Sequence, residues 1–180
     1  AAPIVDAANL PSSNSSTVDI DQVGTLKTSV TGYDKLGNAI QYDFYFAKTD
    51  DGTWEVSVYD AANASSTGSF PYSSGPITTE TMTYDADTKS FDLSTLVIDD
   101  VDNDVSITMD LSGMTQLAAS TSTISKGGVD GNPAEEIQSV TITSDGTVYA
   151  TYAKSAARAL FQIPLADVAS PDKLTVLSGN

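Results

Sequence analysis

The apolar positions of this chain alternate far more than they recur at helical spacing, and the alternation is sharpest over residues 40–58. Ile40, Tyr42, Phe44 and Phe46 interleave with Gln41, Asp43, Tyr45 and Ala47, a period-two row that predicts a half-buried strand. Thr49-Asp50-Asp51-Gly52 then supplies turn chemistry, and Trp54, Val56 and Val58 continue the apolar face, so a β-hairpin is expected here. Upstream, Leu26, Thr28 and Val30 alternate with Lys27 and Ser29 and run into the turn Asp34-Lys35-Leu36-Gly37-Asn38. Downstream, strands are expected around Met82–Tyr84, over Ser90–Ile98 and over Val105–Leu111, joined by the polar stretches 85–89 and 99–104.

Between these runs the chain reads as connection. Residues 1–19 form a connector, and residues 61–80, rich in Ser, Gly and Pro, form a long loop expected to run over the surface. Residues 112–136 carry little pattern, and Lys126-Gly127-Gly128 reads as a hinge, placing a domain boundary near 127–135. Beyond it a second hairpin is expected from Ile137, Val140 and Ile142 through Ser144-Asp145-Gly146 to Val148–Tyr152. Ala153–Leu160 has helix propensity, limited by Pro164 to about two turns. Leu160, Ile163, Leu165 and Val168 fit a further strand.

Composition narrows the chemistry. The 180 residues contain no Cys and no His, which removes disulfides, thiol chemistry, imidazole acid–base catalysis and the preferred zinc ligands. With 24 acidic against 8 basic residues the net charge is −16, which disfavours both nucleic acid and anionic membrane surfaces. All but four of the acids are Asp, a turn and cap former. No apolar run approaches the roughly 18 residues that would span a bilayer. Ala1-Ala2-Pro3 opens with neither an initiator Met nor a signal peptide, which reads as a processed chain or a piece of a longer one.

Candidate sites were weighed on the same terms. Asp100, Asp102 and Asp104 have the spacing that opens an EF-hand loop, but Val105 stands where that loop needs Gly and Leu111 where it needs Glu, so the motif fails and a solvated turn is expected. Asp43 and Glu55 sit near each other in the expected hairpin, as paired hydrolytic carboxylates would. Alternation turns Asp43 away from the aromatic row, so it is expected to face solvent. Tyr42, Phe44, Phe46 and Trp54 would serve as a sugar-stacking platform if exposed; a period-two aromatic row is more often core. Ser112-Gly113 and Ser178-Gly179 lack the nucleophile-elbow pattern, and no Gly-rich loop followed by Lys exists to cradle phosphate. No catalytic, cofactor-binding or metal-binding residue is assigned.

Three stretches in order resemble the bacterial flagellar rod/hook axial family, hook proteins in particular. They are Thr28–Asn38 continuing through Phe46-Ala47-Lys48-Thr49 to Trp54; Met109–Gln116; and Ser144–Tyr152 with Gln162–Val168 and Ser170–Leu174. The chain departs from the family pattern at Gly32 (usually Val), at 153–159 (no Ser-Asn-Gly turn), at Val168 (usually Phe) and at Lys173 (usually Gly). The resemblance implies an all-β fold, with an antiparallel barrel- or sandwich-like outer domain over residues 12–130. Residues 131–180 would be a portion of an adjacent inner β-domain, and residues 1–11 a connector pairing with that second domain. It implies a non-enzymatic, extracellular subunit, exported by the flagellar apparatus without a cleaved signal peptide. Such a subunit assembles with copies of itself into a flexible tube, the hook, that transmits torque from motor to filament, with rod and hook–filament junction proteins at its ends. The terminal helices of the family are absent, so the chain resembles a central fragment, expected to be monomeric in isolation. Loops 61–80 and 99–104 are the expected outer contacts. A secreted carbohydrate-binding or adhesive β-domain is the alternative reading, and a carboxylate-based hydrolase the second rival.

Overall fold

The computed structural model describes residues 2–68, 70–116, 128–131, 133–153 and 155–164. The chain divides into two compact units, Ala1–Pro133 and Ala134–Asn180. In the first, strands β1 (Thr25–Tyr33), β2 (Ala39–Asp50), β3 (Thr53–Asp60), β4 (Thr78–Asp85) and β5 (Ser90–Phe91) form a five-stranded antiparallel sheet in sequence order. Strands β6 (Thr95–Asp100) and β7 (Val105–Asp110) form a separate hairpin. In the second unit β8 (Ile137–Ile142), β9 (Thr147–Tyr152) and β10 (Arg158–Gln162) make a sheet in the order β10-β9-β8. Apart from short 3-10 turns, no helix occurs among the described residues, in keeping with the all-β expectation.

The hairpin expected over 40–58 forms as β2 and β3, with Phe44 opposite Val58 and Phe46 opposite Val56. Its aromatic row faces the β6–β7 hairpin. Tyr42, Phe44, Phe46, Val56, Val58 and Met82 are buried in one cluster with Leu96, Ile98 and Leu111. Each such side chain contributes on the order of 1.5–3 kcal/mol by leaving water. At Gly32, a Cβ would lie 2.7 Å from Cδ1 of Ile107 and 3.2 Å from the ring of the buried Tyr42. The departure from Val at this position therefore has a packing reason: Ile107, from the facing hairpin, fills the space a side chain would take.

Two expectations differ from the structure here. Residues 90–98 are not one strand. Asp92 ends β5 by donating its N–H to the Thr83 carbonyl and accepting the Thr83 N–H on its carboxylate, after which the chain leaves the sheet and starts β6. The helix expected over 153–160 is also absent as such: from Arg158 the chain is strand, because pairing with β9 (Arg158 opposite Ala150) overrides the local propensity of an Ala-rich segment.

The larger departure concerns the other face of β2. Residues 42–48 are buried without a break, so the strand is covered on both sides. The second cover comes from the segments read as connector and surface loop. Val18, Phe70 and Tyr72 pack with Tyr45 and Tyr59 in a second core, where ring centroids lie 4.3 Å (Tyr59–Tyr72) to 6.3 Å (Tyr45–Tyr72) apart. The described N-terminal residues bond to the strands of this unit. Val5 donates its N–H to the Lys48 carbonyl at 2.8 Å, the Tyr59 hydroxyl donates to the Pro11 carbonyl at 2.7 Å, and Ser12 donates twice to Glu55. Asn14, at φ 50°, holds the loop by its backbone: its amide donates to the Tyr72 carbonyl at 2.9 Å and accepts the Tyr72 N–H at 2.7 Å.

Asp43 lies inside this second core, only 2% exposed, and the expectation that it faces solvent is corrected. Alternation placed it correctly opposite the aromatic row, but that side is roofed. The Lys27 ammonium lies 2.9 Å from its carboxylate, and the Ser29 and Tyr72 hydroxyls donate to it. The Tyr72 proton is thereby committed, so Tyr45, 2.8 Å away, is the donor in the Tyr45–Tyr72 hydroxyl pair. Burial alone would raise the Asp43 pKa, but the bonds from Lys27, Ser29 and Tyr72 and the Lys27 charge outweigh it and hold the carboxyl below its ordinary 3.8. Burial likewise pulls the Lys27 ammonium down, and the bonds and charges of Asp43 and Tyr45 together lift it above 10.5. The Tyr72 phenol is pushed up by burial and by its bonds to Asp43 and Tyr45.

Two predictions follow from this packing. Gly32→Val is expected to cost about 1–3 kcal/mol by overpacking, and Ile107→Ala in the same chain to recover part of that loss; additive losses in chemical denaturation would refute the contact. Asp43→Asn is expected to cost about 3 kcal/mol at neutral pH by leaving Lys27 unpaired. Because the folded pKa of Asp43 is depressed, its contribution is present above pH 3.8 and fades as pH falls through the folded value, so the gap between wild type and variant should narrow below pH 3.8. The Lys27 contribution is complete below 10.5 and fades above it. A gap that stays constant down to the acid transition would contradict the pairing.

Candidate assembly surface

Several acids of this chain build turns. Asp34 accepts the Leu36 and Asn38 N–H groups, each at 2.8 Å, and the Asn38 side chain, and these bonds, the Asn38 side chain first, lower its pKa. Asp85 caps the next turn through the Asp87 N–H at 2.8 Å, and Asp110 does the same through Ser112 at 2.9 Å; both carboxyls are held low by these bonds. In the second unit Asp145 accepts from the Thr143 and Thr147 hydroxyls across the β8–β9 turn, which lowers its pKa. These carboxylates are spread over separate turns and do not converge on a common point.

The acidic joint 99–104 is the tip of the β6–β7 hairpin, and its carboxylates point in different directions. Asp100 turns inward, 5% exposed, and accepts from the Tyr42 hydroxyl at 3.0 Å and from the Asn103 amide at 2.7 Å. Burial, then the bond to Asp100, pushes the Tyr42 phenol up, so it stays protonated as the donor. Asn103 also reaches Asp60 at 3.2 Å. Asp99 accepts from the Ser106 hydroxyl, and Asp104 pairs with Lys35 of the β1–β2 turn. Among the described residues no group of three or more acidic side chains is arranged to hold a metal ion. A shallow depression of about 210 Å³ beside the joint is lined by Asp60, Asp99, Asp102 and the 74–77 backbone turn, and it is open to solvent.

The rival site readings fare as follows. Asp43 and Glu55 do not face each other: Asp43 is opposite Tyr59, while Glu55 is opposite Ala47 and is occupied by Ser12 and Ser57. Tyr42, Phe44 and Phe46 are buried, and Trp54 packs against the same core with its indole N–H on Gln116 at 2.9 Å, so no aromatic platform is exposed and the carbohydrate-binding alternative loses its basis. Ser112 lies in the turn after β7; Ser178 lies outside the described residues, as do Leu165, Val168 and Lys173. Of the expected contact loops, 99–104 is exposed at its tip, with Val101 87% exposed, whereas loop 61–80 is only partly a surface, since Phe70 and Tyr72 are inside.

The second unit presents a different surface. Strand pairing puts Val140, Ala150 and Arg158 on one face with Ile142, Val148 and Phe161, while Thr141, Tyr149, Ala159, Thr147 and Gln162 share the other. Apart from Arg158 this face is apolar; Ala150 on it is buried, whereas Val140, Ile142 and Phe161 are 58%, 60% and 70% exposed. An apolar sheet face of this kind normally packs against another layer.

The family model described as flagellar basal body protein FlaE D2 domain matches residues 6–132. The chain is 34% identical over 154 residues to the flagellar hook protein FlgE of Brucella abortus biovar 1 (strain 9-941), covering 86% of this chain and 37% of that protein. With the flagellar hook protein FlgE of Rhizobium meliloti (strain 1021) it is 32% identical over 181 residues, covering 96% and 41%. The chain thus spans about two fifths of the length of these relatives. A crystal structure of Helicobacter pylori flagellar hook protein FlgE2 aligns with a TM-score of 0.46 at 19% identity, over 88% of this chain and 36% of that one. By the match over residues 6–132, the chain belongs to the family of the flagellar basal body protein FlaE D2 domain.

Proposed function

We propose that this chain is the outer β-module, with part of a neighbouring one, of a flagellar hook subunit. Copies would assemble into a flexible extracellular tube that passes torque from motor to filament, with rod and junction proteins at its two ends. The role is mechanical and involves no catalysis. The observation that carries the reading is the family match over residues 6–132, within the longer similarity to hook proteins at 32–34% identity. The physical properties of the first unit suit it. A sheet whose strand β2 is buried on both faces resists deformation, while a polar, Asp-rich exterior makes contacts that are weak and hydrated. Such contacts can break and re-form as a curved tube rotates.

Residues 12–130 are then the outer domain and residues 131–180 a portion of an inner one. The exposed apolar side chains Val140, Ile142 and Phe161 on β8–β10 support that division, because an apolar sheet face needs a covering layer to be stable. Export through the flagellar apparatus without a cleaved leader belongs to the same reading.

The direct test replaces the matched segment of a relative's hook protein with residues 6–132 of this chain and images the cells. Curved hooks and retained swimming are expected; a stable chimaera that is exported yet forms no tube would overturn the reading. The open face has its own check. In the 180-residue chain, Val140→Ser with Ile142→Ser should cut binding of an apolar fluorescent dye several-fold, and unchanged binding would mean that the face is already covered.

A further inference from the structure

Lys48 is the one buried lysine among the described residues, 4% exposed. Its ammonium donates to the Ala2 carbonyl at 3.3 Å and to the Asp51 carboxylate at 3.1 Å. Asp51 stands in solvent, and a pair with an exposed partner returns little of what it costs to bury a charge. Stability alone would be served as well by an apolar side chain of the same length. What the ammonium adds is a grip on the backbone of residue 2.

The backbone of Lys48 holds the same segment. Its N–H donates to the Gly24 carbonyl at 2.9 Å, and its carbonyl accepts the Val5 N–H at 2.8 Å. Val5 itself is buried. Gly24, at φ 107°, lies against the Pro3 carbonyl, which a Cβ would approach within 2.5 Å. A peptide group is planar, so holding the Ala2 carbonyl fixes the Ala2–Pro3 plane, and seating the Pro3 carbonyl fixes the Pro3–Ile4 plane. Between these planes the ring of Pro3 locks φ, and proline has no N–H to satisfy. Ala2, preceding a proline, is restricted to extended backbone. Residues 2–5 have the composition of a linker and little of a linker's torsional freedom.

We propose that Lys48 is a positioning residue that clamps residues 2–5 into a rigid neck, setting the direction in which the chain enters the first unit. The mechanical consequence rests on the function proposed above. A module on a rigid neck turns with the rest of its subunit, whereas a module on a loose neck swivels and absorbs the motion. The rigidity itself needs no assembly and is measured without it.

The test is backbone amide relaxation by NMR on the 180-residue chain. In the parent, the Ile4 and Val5 amides should have order parameters of about 0.85, equal to those of β2, although residues so near a chain end ordinarily fray. Lys48→Met keeps the length of the side chain and removes the ammonium. The order parameter of Ile4 should then fall below about 0.6. Amide exchange at Phe44 and Phe46 should stay within about tenfold of the parent's, because the partner left behind, Asp51, is exposed. Gly24→Ala puts a Cβ against the Pro3 carbonyl with Lys48 intact, and it should mobilise Ile4 as well. A parent in which Ile4 is already mobile, or an Ile4 that stays rigid in either variant, overturns the clamp. A Lys48→Met chain that loses protection throughout β2 makes Lys48 a core residue and overturns its positioning role. Each of these results leaves the hook function to the chimaera, and a chimaera that forms no tube leaves the neck standing.

Discussion

The structure depends on β2 being buried on both faces. One face meets the β6–β7 hairpin through Tyr42, Phe44 and Phe46; the other meets the N-terminal segment and loop 61–76 through Tyr45 and Asp43. A strand in that position cannot be half polar in the usual way, so any polar side chain on it has to be satisfied inside. Asp43 is satisfied by Lys27, Ser29 and Tyr72, and this network joins three separate parts of the chain at one carboxylate. Tyr59 and Asn14 extend the tie to Pro11 and to the backbone of Tyr72. The outcome is a β-sheet between two covers, stiff through its middle, with its irregular segments fastened down.

That arrangement also explains how so acidic a chain folds. Several carboxylates are spent on turns, where Asp34, Asp85, Asp110 and Asp145 accept N–H and hydroxyl groups and remain in water. Among the described residues the two that go inside, Asp43 and Asp100, are each matched to a tyrosine hydroxyl, and Asp43 also to a lysine. Negative charge is left on the outside of the first unit.

Much of this was legible in the sequence, and the reasons for the rest are local. The hairpin over 40–58 and the strands β1, β7, β8 and β9 follow from alternation and turn residues, because period-two patterns survive any tertiary context. The break between β5 and β6 did not show, because Asp92 acts through a cross-strand bond to Thr83 that no local pattern encodes. Helix propensity at 153–160 misled for the same reason: β9 supplies the partner that makes β10 a strand. The buried role of Asp43 was hidden by reading one apolar face as the whole core. A signal was present: Tyr45 and Tyr59 stand on the supposedly exposed face, and a surface loop had little reason to carry both Phe70 and Tyr72.

The central claim, a strand sealed on both sides by segments that look like linkers, is tested most directly by amide hydrogen exchange on the 180-residue chain. Residues 42–48 should be among the slowest to exchange, opening only with global unfolding of the first unit, and the Tyr72 amide should share in that protection through Asn14. The amides of β8, in a sheet with one open face, should exchange orders of magnitude faster. If the Asp43 and Tyr45 amides exchanged as quickly as those of β8, or if Tyr72 were unprotected while β2 remained slow, the second cover would not be the structural element described.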